Sequence, residues 1–157
     1  MRRFYYEIRK WSLRDRLSTI KKIDPEKYKY VVANILLAKR ILKEAGAYKP
    51  NRGEIPQGGL GGVGIENWIL QNGGSFIDAA KSFVEASNEK SFEEFKATYQ
   101  IWDFGDNHLA ERNEQYPHDN FVSKNMSDAG YQRMVQALED YLKTMEINQN
   151  LTEEIKK

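Results

Sequence analysis

The sequence predicts a mainly α-helical protein, a single-domain bundle of five or six helices with one short strand or hairpin. Two observations carry this prediction. Apolar residues recur at three- and four-residue spacing through most of the chain, and glycine, proline or small polar residues stand where each periodic stretch begins or ends. The 157 residues, 40% of them hydrophobic, suit one domain with a buried core. We place this domain at 1–146 and a polar C-terminal tail at 147–157.

Two basic amphipathic helices are predicted first, over 3–22 and from Pro25 to about Ala45. Asp24 suits the N-cap of the second helix. Pro25 suits the first helical position, because the backbone N–H that proline lacks would have no intrahelical acceptor there. Gly46 fits the C-terminal stop, since glycine adopts the left-handed conformation that ends many helices.

The middle of the chain predicts three shorter helices. A loop over 47–59 leads into a glycine-rich segment, 58–74, whose second half is an apolar helix ending at a glycine pair. Ser75 can cap the next helix, and a short helix around 91–97 follows. Their apolar faces comprise Ile65, Trp68, Ile69 and Leu70, then Phe76, Ile77, Ala80, Phe83 and Val84, then Phe92 and Phe95.

The weak alternation over 98–102 predicts the one short strand. A polar loop over about 103–126 precedes the last strong helix, which starts at Ser127-Asp128. We expect the chain to fray after about residue 146. The last helix carries the stripe Tyr131, Met134, Val135, Leu138, Tyr141 and Leu142, and the three tryptophans, Trp11, Trp68 and Trp102, are assigned to the core.

Composition narrows the function classes. No apolar run approaches the roughly 20 residues of a membrane span, and 1–7 lacks the apolar stretch of a signal peptide. With no cysteine, disulfides and thiolate metal sites are excluded. We expect a cytoplasmic protein that does not act at a membrane.

Charge is distributed unevenly along the chain. Residues 1–52 carry 15 Lys/Arg against 5 Asp/Glu, a net +10, whereas 53–157 carry 9 against 18, a net −9. The basic part suits an anionic partner such as nucleic acid, a nucleotide or an acidic domain. It equally suits pairing with the acidic part of the same chain, and charge alone leaves both interpretations open.

Residues 59–64 match the string G-x-G-x-x-G of dinucleotide-binding proteins. That motif needs a preceding buried strand and a βαβ unit, whereas here the lead-in is a loop. The glycines Gly59, Gly61 and Gly62 are better interpreted as allowing a helix and a loop to pack backbone against backbone.

The polar loop contains residue types that bind metals: Asp103, Asp106, His108, His118 and Asp119. Their spacing matches no ligand motif, so we interpret them as solvated loop residues and predict no metal site. No serine lies in a nucleophile elbow of the G-x-S-x-G type either.

Lys39 and Tyr48 form the more promising pair. Lys39 lies on the second helix beside Arg40 and one turn before Lys43, and Tyr48 follows the helix stop. An ammonium and a phenol beside a glycine-rich loop can hold a polyphosphate, although an exposed lysine on a helix commonly only contacts solvent.

Five short motifs occur in the order seen in one family. The segment 37–48 (LAKRILKEAGAY), 58–62 (GGLGG) and 72–76 (NGGSF) resembles the central helical domain of archaeal-type CCA-adding tRNA nucleotidyltransferases. Further on, 102–106 (WDFGD) and 121–127 (FVSKNMS) resemble two later motifs of that domain. The resemblance covers about 25–142. The same domain is shared with 2′-5′-oligoadenylate synthetases and poly(A) polymerases.

The resemblance implies roles for particular residues. Lys39 and Tyr48 match positions that contact the triphosphate of the incoming nucleotide, and Arg40 and Lys43 would extend the basic wall. As a separate hypothesis, from their position at the glycine-rich helix start, the base pocket or the contact with a neighbouring domain would be shaped by Gly59, Gly61, Gly62, Glu66 and Asn67. At the position of the family's base-recognising arginine this chain has Asn120, and Arg112 or Lys124 are candidate substitutes.

The resemblance also implies what would have to come from elsewhere. In these enzymes an N-terminal palm with paired aspartates holds two metals, and the acidic residues before residue 25 (Glu7, Asp15 and Asp24) do not supply it. We therefore expect a substrate-binding domain that is not catalytic alone and works with a palm in cis or in trans. It would bind no cofactor by itself, and Mg²⁺ would accompany the nucleoside triphosphate in the complete enzyme.

Two alternatives remain open at this point. The chain could be a non-enzymatic helical module that binds RNA or protein through its basic face, or a free-standing partner of a separately encoded nucleotidyltransferase. The sequence specifies neither the acceptor nor the base transferred.

Overall fold

A computed structural model describes residues 15–48, 58–101 and 126–156. In this part of the chain the protein is mainly helical, which confirms the predicted class. The helices are α1 (15–23), α2 (Pro25–Glu44), α3 (Gly62–Gln71), α4 (Phe76–Glu89), α5 (Phe92–Thr98) and α6 (Asp128–Lys156). The part of the first predicted helix before residue 15 lies outside the described residues.

Side-chain caps begin the helices where the sequence places them. The Asp24 carboxylate accepts the Lys27 N–H at 3.1 Å, and Pro25 occupies the first position of α2. Ser75 caps α4 and Ser127 caps α6 in the same way, by accepting backbone N–H groups of the first turn. Beyond the end of α2, Gly46 has a φ of 72°, as its predicted role requires.

The core is built around Trp68 of α3. Its ring meets Phe76 and Phe83 of α4 edge-on, with centroids 6.1 Å and 5.9 Å apart. Phe83 in turn lies 4.7 Å from Phe95 of α5, and both are fully buried. The prediction that Trp68 belongs to the core is confirmed, and Trp11 and Trp102 lie outside the described residues.

Glycines let the segment before α3 pass between two other parts of the backbone. A methyl group at Gly59 would collide with the Ala47 carbonyl oxygen, and one at Gly130 with the Gly58 carbonyl oxygen. The Gly58 oxygen also accepts hydrogen bonds from the Ser127 N–H at 2.9 Å and the Ser127 hydroxyl at 3.0 Å. The predicted backbone-to-backbone packing is therefore present at Gly59.

The strand predicted over 98–102 is wrong for 98–101, and residue 102 is outside the described residues. Tyr99 supplied the apparent alternation, but its position is fixed by side chains: the Trp68 Nε1–H donates to the Tyr99 hydroxyl at 2.9 Å. The Gln100 carbonyl accepts from the Gln71 side chain at 2.6 Å. These contacts order an extended segment, which pairs with no strand among the residues that the structure describes.

α6 continues further than expected. Its stripe is buried at Tyr131, Met134 and Leu138, as predicted, but the helix runs to Lys156 instead of fraying near residue 146. Residues 146–156 are exposed throughout. Although α6 has 29 residues, neither it nor another helix in the described ranges combines the length and apolarity needed to cross a membrane.

Candidate functional site

An ion pair joins α2 to α3. The Lys39 Nζ lies 2.7 Å from Glu66 Oε1, and both side chains are only 23% exposed. Lys39 follows the buried Ala38 and precedes Leu42, the last buried residue of α2, by one helical turn. Its side chain is mostly covered, and its ammonium reaches Glu66 of α3. The sequence named both residues but did not pair them.

Tyr48 also lies at the start of α3, close to Lys39. An isolated parallel bridge pairs Tyr48 with Leu60, which sets the tyrosine beside the glycine-rich start of α3. A methyl group at Gly62 would lie 3.0 Å from the Tyr48 hydroxyl oxygen and 3.9 Å from Lys39 Nζ. The absence of a side chain at Gly62 therefore leaves room for both donors at the first turn of α3.

Of the two further basic residues, one joins this cluster and one does not. Lys43 Nζ lies 4.6 Å from the centre of the Tyr48 ring, a cation–π distance. Arg40 instead pairs with Glu44 at 3.3 Å on the solvent face of α2, where the two side chains are 78% and 69% exposed. We define the α3-start cluster as Lys39, Lys43, Tyr48, Gly62 and Glu66.

The start of α3 itself favours an anionic group. The N-cap is Gly61, which has no side chain to cap the helix, and the first intrahelical bond runs from Ile65 N–H to the Gly61 carbonyl. The N–H groups of the first turn, at 62–64, therefore have no intrahelical acceptor, and the helix dipole places partial positive charge there. The Glu66 carboxylate supplies the negative charge that opposes Lys39.

Asn67 is the unusual residue beside this cluster. It is 1% exposed, and its Nδ2 donates to the Val63 carbonyl at 3.0 Å. Its Oδ1 is buried and accepts no hydrogen bond from the residues that the structure describes. A buried acceptor without a donor costs free energy, on the order of 1–3 kcal/mol. The sequence pointed to Asn67 through its position after the glycines, but carried no signal of this unpaired oxygen.

Several predicted residues lie outside the described residues: Asn120, Arg112 and Lys124, and the loop residues Asp103, Asp106, His108, His118 and Asp119. Their roles stay predictions. Across 15–48, 58–101 and 126–156, no three His, Asp or Glu side chains are grouped in a way that could hold a metal ion.

A shallow groove that the sequence did not predict lies between the end of α2 and α6. Its volume is about 370 Å³, and its lining comprises Ile41, Glu44, Ala45, Arg133, Gln136, Ala137 and Asp140. Such a groove depends on how two distant helices pack, and no local pattern of residues encodes it.

The comparisons with known proteins do not identify a family. No family model, curated protein or solved structure matches this chain. A functional assignment must therefore depend on the α3-start cluster and on the resemblance in sequence motifs.

Proposed function

We propose that the chain is the nucleotide-binding helical domain of a template-independent nucleotidyltransferase. It would bind the phosphates of a nucleoside triphosphate with Mg²⁺, and a catalytic palm in cis or in trans would transfer the nucleotide. The observation that supports this proposal is the convergence of Lys39 and Tyr48 on Gly62. These are the two residues that the motif resemblance assigns to the triphosphate.

The cluster offers the donor types that phosphate oxygens require. Lys39 contributes an ammonium, Tyr48 a hydroxyl, and the first turn of α3 its backbone N–H groups. Lys43, which lies over the Tyr48 ring, adds positive charge without competing for the same position. A chain of phosphates fits this set better than a single carboxylate does, because the donors come from α2, the bridge at Tyr48 and α3.

Glu66 limits the affinity. With no nucleotide bound, its carboxylate neutralises Lys39 and keeps the ammonium oriented towards α3. On binding, Lys39 exchanges one anionic partner for another, so part of the favourable interaction with phosphate is spent on breaking the ion pair. We therefore expect weak binding by this domain alone and tighter binding when a palm completes the cleft.

The cluster suits phosphate oxygens better than it suits a metal ion. Mg²⁺ prefers several oxygen ligands, and Glu66 is the one carboxylate in the α3-start cluster. In the complete enzyme Mg²⁺ would neutralise charge on the phosphates. The residues of this chain would hold and orient the phosphate chain.

A titration tests the proposal. The chain is titrated with ATP and with CTP in Mg²⁺ by calorimetry and by tryptophan fluorescence, with and without a palm domain. Lys39→Ala should weaken binding on the order of tenfold, equivalent to about 1.4 kcal/mol, and Tyr48→Phe should weaken it less. Arg40→Ala is the matched control, because it removes the same charge from the solvent face of the same helix. Equal effects of Lys39→Ala and Arg40→Ala, or no saturable binding with the palm present, would refute the proposal.

The runner-up is a non-enzymatic module that binds RNA or protein. The observation in its favour is the Lys39–Glu66 ion pair, because a neutralised and mostly covered lysine also suits a purely structural contact between α2 and α3. Binding to RNA through the exposed lysines and arginines would weaken steeply as salt rises. Packing against a partner protein through apolar residues would not.

A further inference from the structure

The middle of the α2 face opposite the core, over 30–37, is apolar. The helix buries Val31, Ile35, Ala38 and Leu42. At 100° per residue, Ala33 points directly away from them and is exposed. Around it lie Tyr30, Leu36 and Leu37, which are 52%, 62% and 38% exposed. We call Tyr30, Ala33, Leu36 and Leu37 the outer strip of α2. Single exposed apolar residues are common, but a contiguous strip on a helix that already buries its other face is not.

Each end of the outer strip carries both signs of charge. Before it, Glu26 pairs with Lys29 at 3.5 Å, and these side chains are 85% and 74% exposed. After it, Arg40 pairs with Glu44 at 3.3 Å, and these side chains are 78% and 69% exposed. All four are therefore available to a partner at little cost, because exposed pairs within one helix contribute little.

We propose that the outer strip binds the same strip of a second copy of this chain, with the two α2 helices antiparallel and the two-fold axis at Ala33. In such a symmetric contact each residue lies opposite the one equally far on the other side of the axis. Glu26 then faces the partner's Arg40 at one end, and symmetry repeats the pair at the other. Tyr30 packs on the partner's Leu36.

Charge and size favour this arrangement over the others. A parallel pair would set Glu26 against Glu26 and Arg40 against Arg40, which repel. In the antiparallel pair about Ala33, the outermost charges attract. Alanine at the axis allows the helix backbones to approach closely, and the aliphatic stem of Lys29 covers the partner's Leu37.

The contact is short, which sets its strength. From Glu26 to Arg40 a helix extends about 22 Å at 1.5 Å per residue. One helix pair of this length buries less than the roughly 800 Å² per partner of a standard interface. We therefore expect a dissociation constant on the order of 10–100 µM. Lys39 lies about 120° around the helix from Ala33, so the dimer leaves the α3-start cluster accessible and does not depend on the proposed function.

Analytical ultracentrifugation over about 1–500 µM tests the inference. The wild-type chain should pass from monomer to dimer, and Leu36→Asp should remain monomeric. Leu151→Asp is the matched control, because Leu151 is 53% exposed and belongs to α6 and not to the outer strip, so its substitution should leave dimerisation unchanged. Thermal melts of each monomer check that the fold persists.

A charge exchange tests the register. Glu26→Lys and Arg40→Glu should each weaken the dimer on the order of tenfold, and the double variant should restore it, because each introduced lysine then faces the partner's introduced glutamate. A monomer at every concentration, a Leu36→Asp variant that still dimerises, or a double variant as weak as the singles would overturn the proposal. So would a monomer whose strip becomes protected only when a palm domain is added, which would assign the strip to that domain.

Discussion

The Lys39 ammonium lies 2.7 Å from the Glu66 carboxylate and so ties α2 to α3 at the glycine-rich helix start. Both side chains are mostly covered but keep some contact with solvent, so we expect the pair to contribute about 1 kcal/mol to the stability of the fold. Its greater effect is on charge, because Glu66 cancels the ammonium that the proposed function assigns to phosphate. Stability and ligand binding therefore respond differently to the loss of Glu66.

Glu66→Gln should strengthen phosphate binding. The amide oxygen still accepts a hydrogen bond from Lys39, but the negative charge is gone, so tripolyphosphate or ATP should bind several-fold more tightly. Calorimetry with Mg²⁺ measures this change, and a urea melt should show a loss of at most about 1 kcal/mol. Glu44→Gln is the control, because Glu44 is also paired with a cation of α2 but lies on the solvent face. Unchanged or weaker binding in Glu66→Gln would contradict the assigned role of Lys39.

The helices were predictable because their signals are local. Asp24, Ser75 and Ser127 each precede an apolar stripe, and the cap and the stripe together specify where a helix begins. The proximity of Lys39 to Tyr48 was expected because Gly46 ends α2 between them. The partner of Lys39 was not predictable, because Glu66 lies 27 positions further along and meets Lys39 only through the packing of α3 against α2.

The failures have the same physical origin. The alternation that includes Tyr99 predicts a strand. In the structure the Tyr99 ring stacks on Phe95, with centroids 4.8 Å apart, and its hydroxyl accepts a hydrogen bond from Trp68; the sequence does not show these contacts. The close packing at Gly130 was not predictable from the sequence, because a glycine within a helix indicates only a lower helix propensity. Its function depends on Gly58, which comes from a distant part of the chain.

Gly130→Ala should destabilise the fold. In an isolated helix the change would stabilise by roughly 1 kcal/mol. Here the new methyl group would collide with the Gly58 carbonyl oxygen, which already accepts two hydrogen bonds from Ser127. Because the colliding atom belongs to backbone, we expect a net loss of about 2 kcal/mol in the free energy of unfolding, measured in urea.

The control for this substitution is Asn150→Ala, at an exposed position of the same helix. It should be neutral or slightly stabilising, since alanine is the better helix former. A Gly130→Ala variant that is as stable as Asn150→Ala would show that the approach of Gly58 to α6 does not constrain residue 130.

The buried aromatic core should make the protein sensitive to alkali. Burial raises the pKa of the Tyr99 hydroxyl above 10.0, although its hydrogen bonds with Ser82 and Trp68 oppose the shift. Above about pH 10 the unfolded chain therefore loses a proton that the folded chain keeps. The contribution of Tyr99 is fully present below pH 10 and is lost as pH rises through the folded pKa.

Urea melts between pH 8 and pH 11 measure this effect. The free energy of unfolding of the wild type should fall above about pH 10, and that of Tyr99→Phe should fall less steeply. Some steepness should persist, because burial also raises the pKa of Tyr131 and of Tyr141. At neutral pH Tyr99→Phe should be less stable by about 1–3 kcal/mol, since the Trp68 N–H loses its acceptor. Identical slopes in the two proteins would show that Tyr99 titrates alike in the folded and unfolded states.

Asn67→Leu separates stability from binding. The Oδ1 of Asn67 is buried without a donor among the described residues, so an apolar side chain of similar shape should stabilise the isolated chain by about 1 kcal/mol. Asn72→Leu is the matched control: its Nδ2 makes the same bond four residues back, to the Trp68 carbonyl at 2.8 Å, but the residue is only partly buried. That variant should gain nothing.

Nucleotide titrations of Asn67→Leu complete the test. A variant that is more stable and binds ATP and CTP as well as the wild type would make the unpaired oxygen a cost of folding alone. A variant that is more stable but binds one of the two nucleotides less well would show that the Asn67 Oδ1 accepts a hydrogen bond from the base of that nucleotide. Binding sites often keep a residue that lowers the stability of the free protein when that residue contacts the ligand. Destabilisation by more than about 1 kcal/mol would instead mean that the oxygen already has a partner in the folded protein.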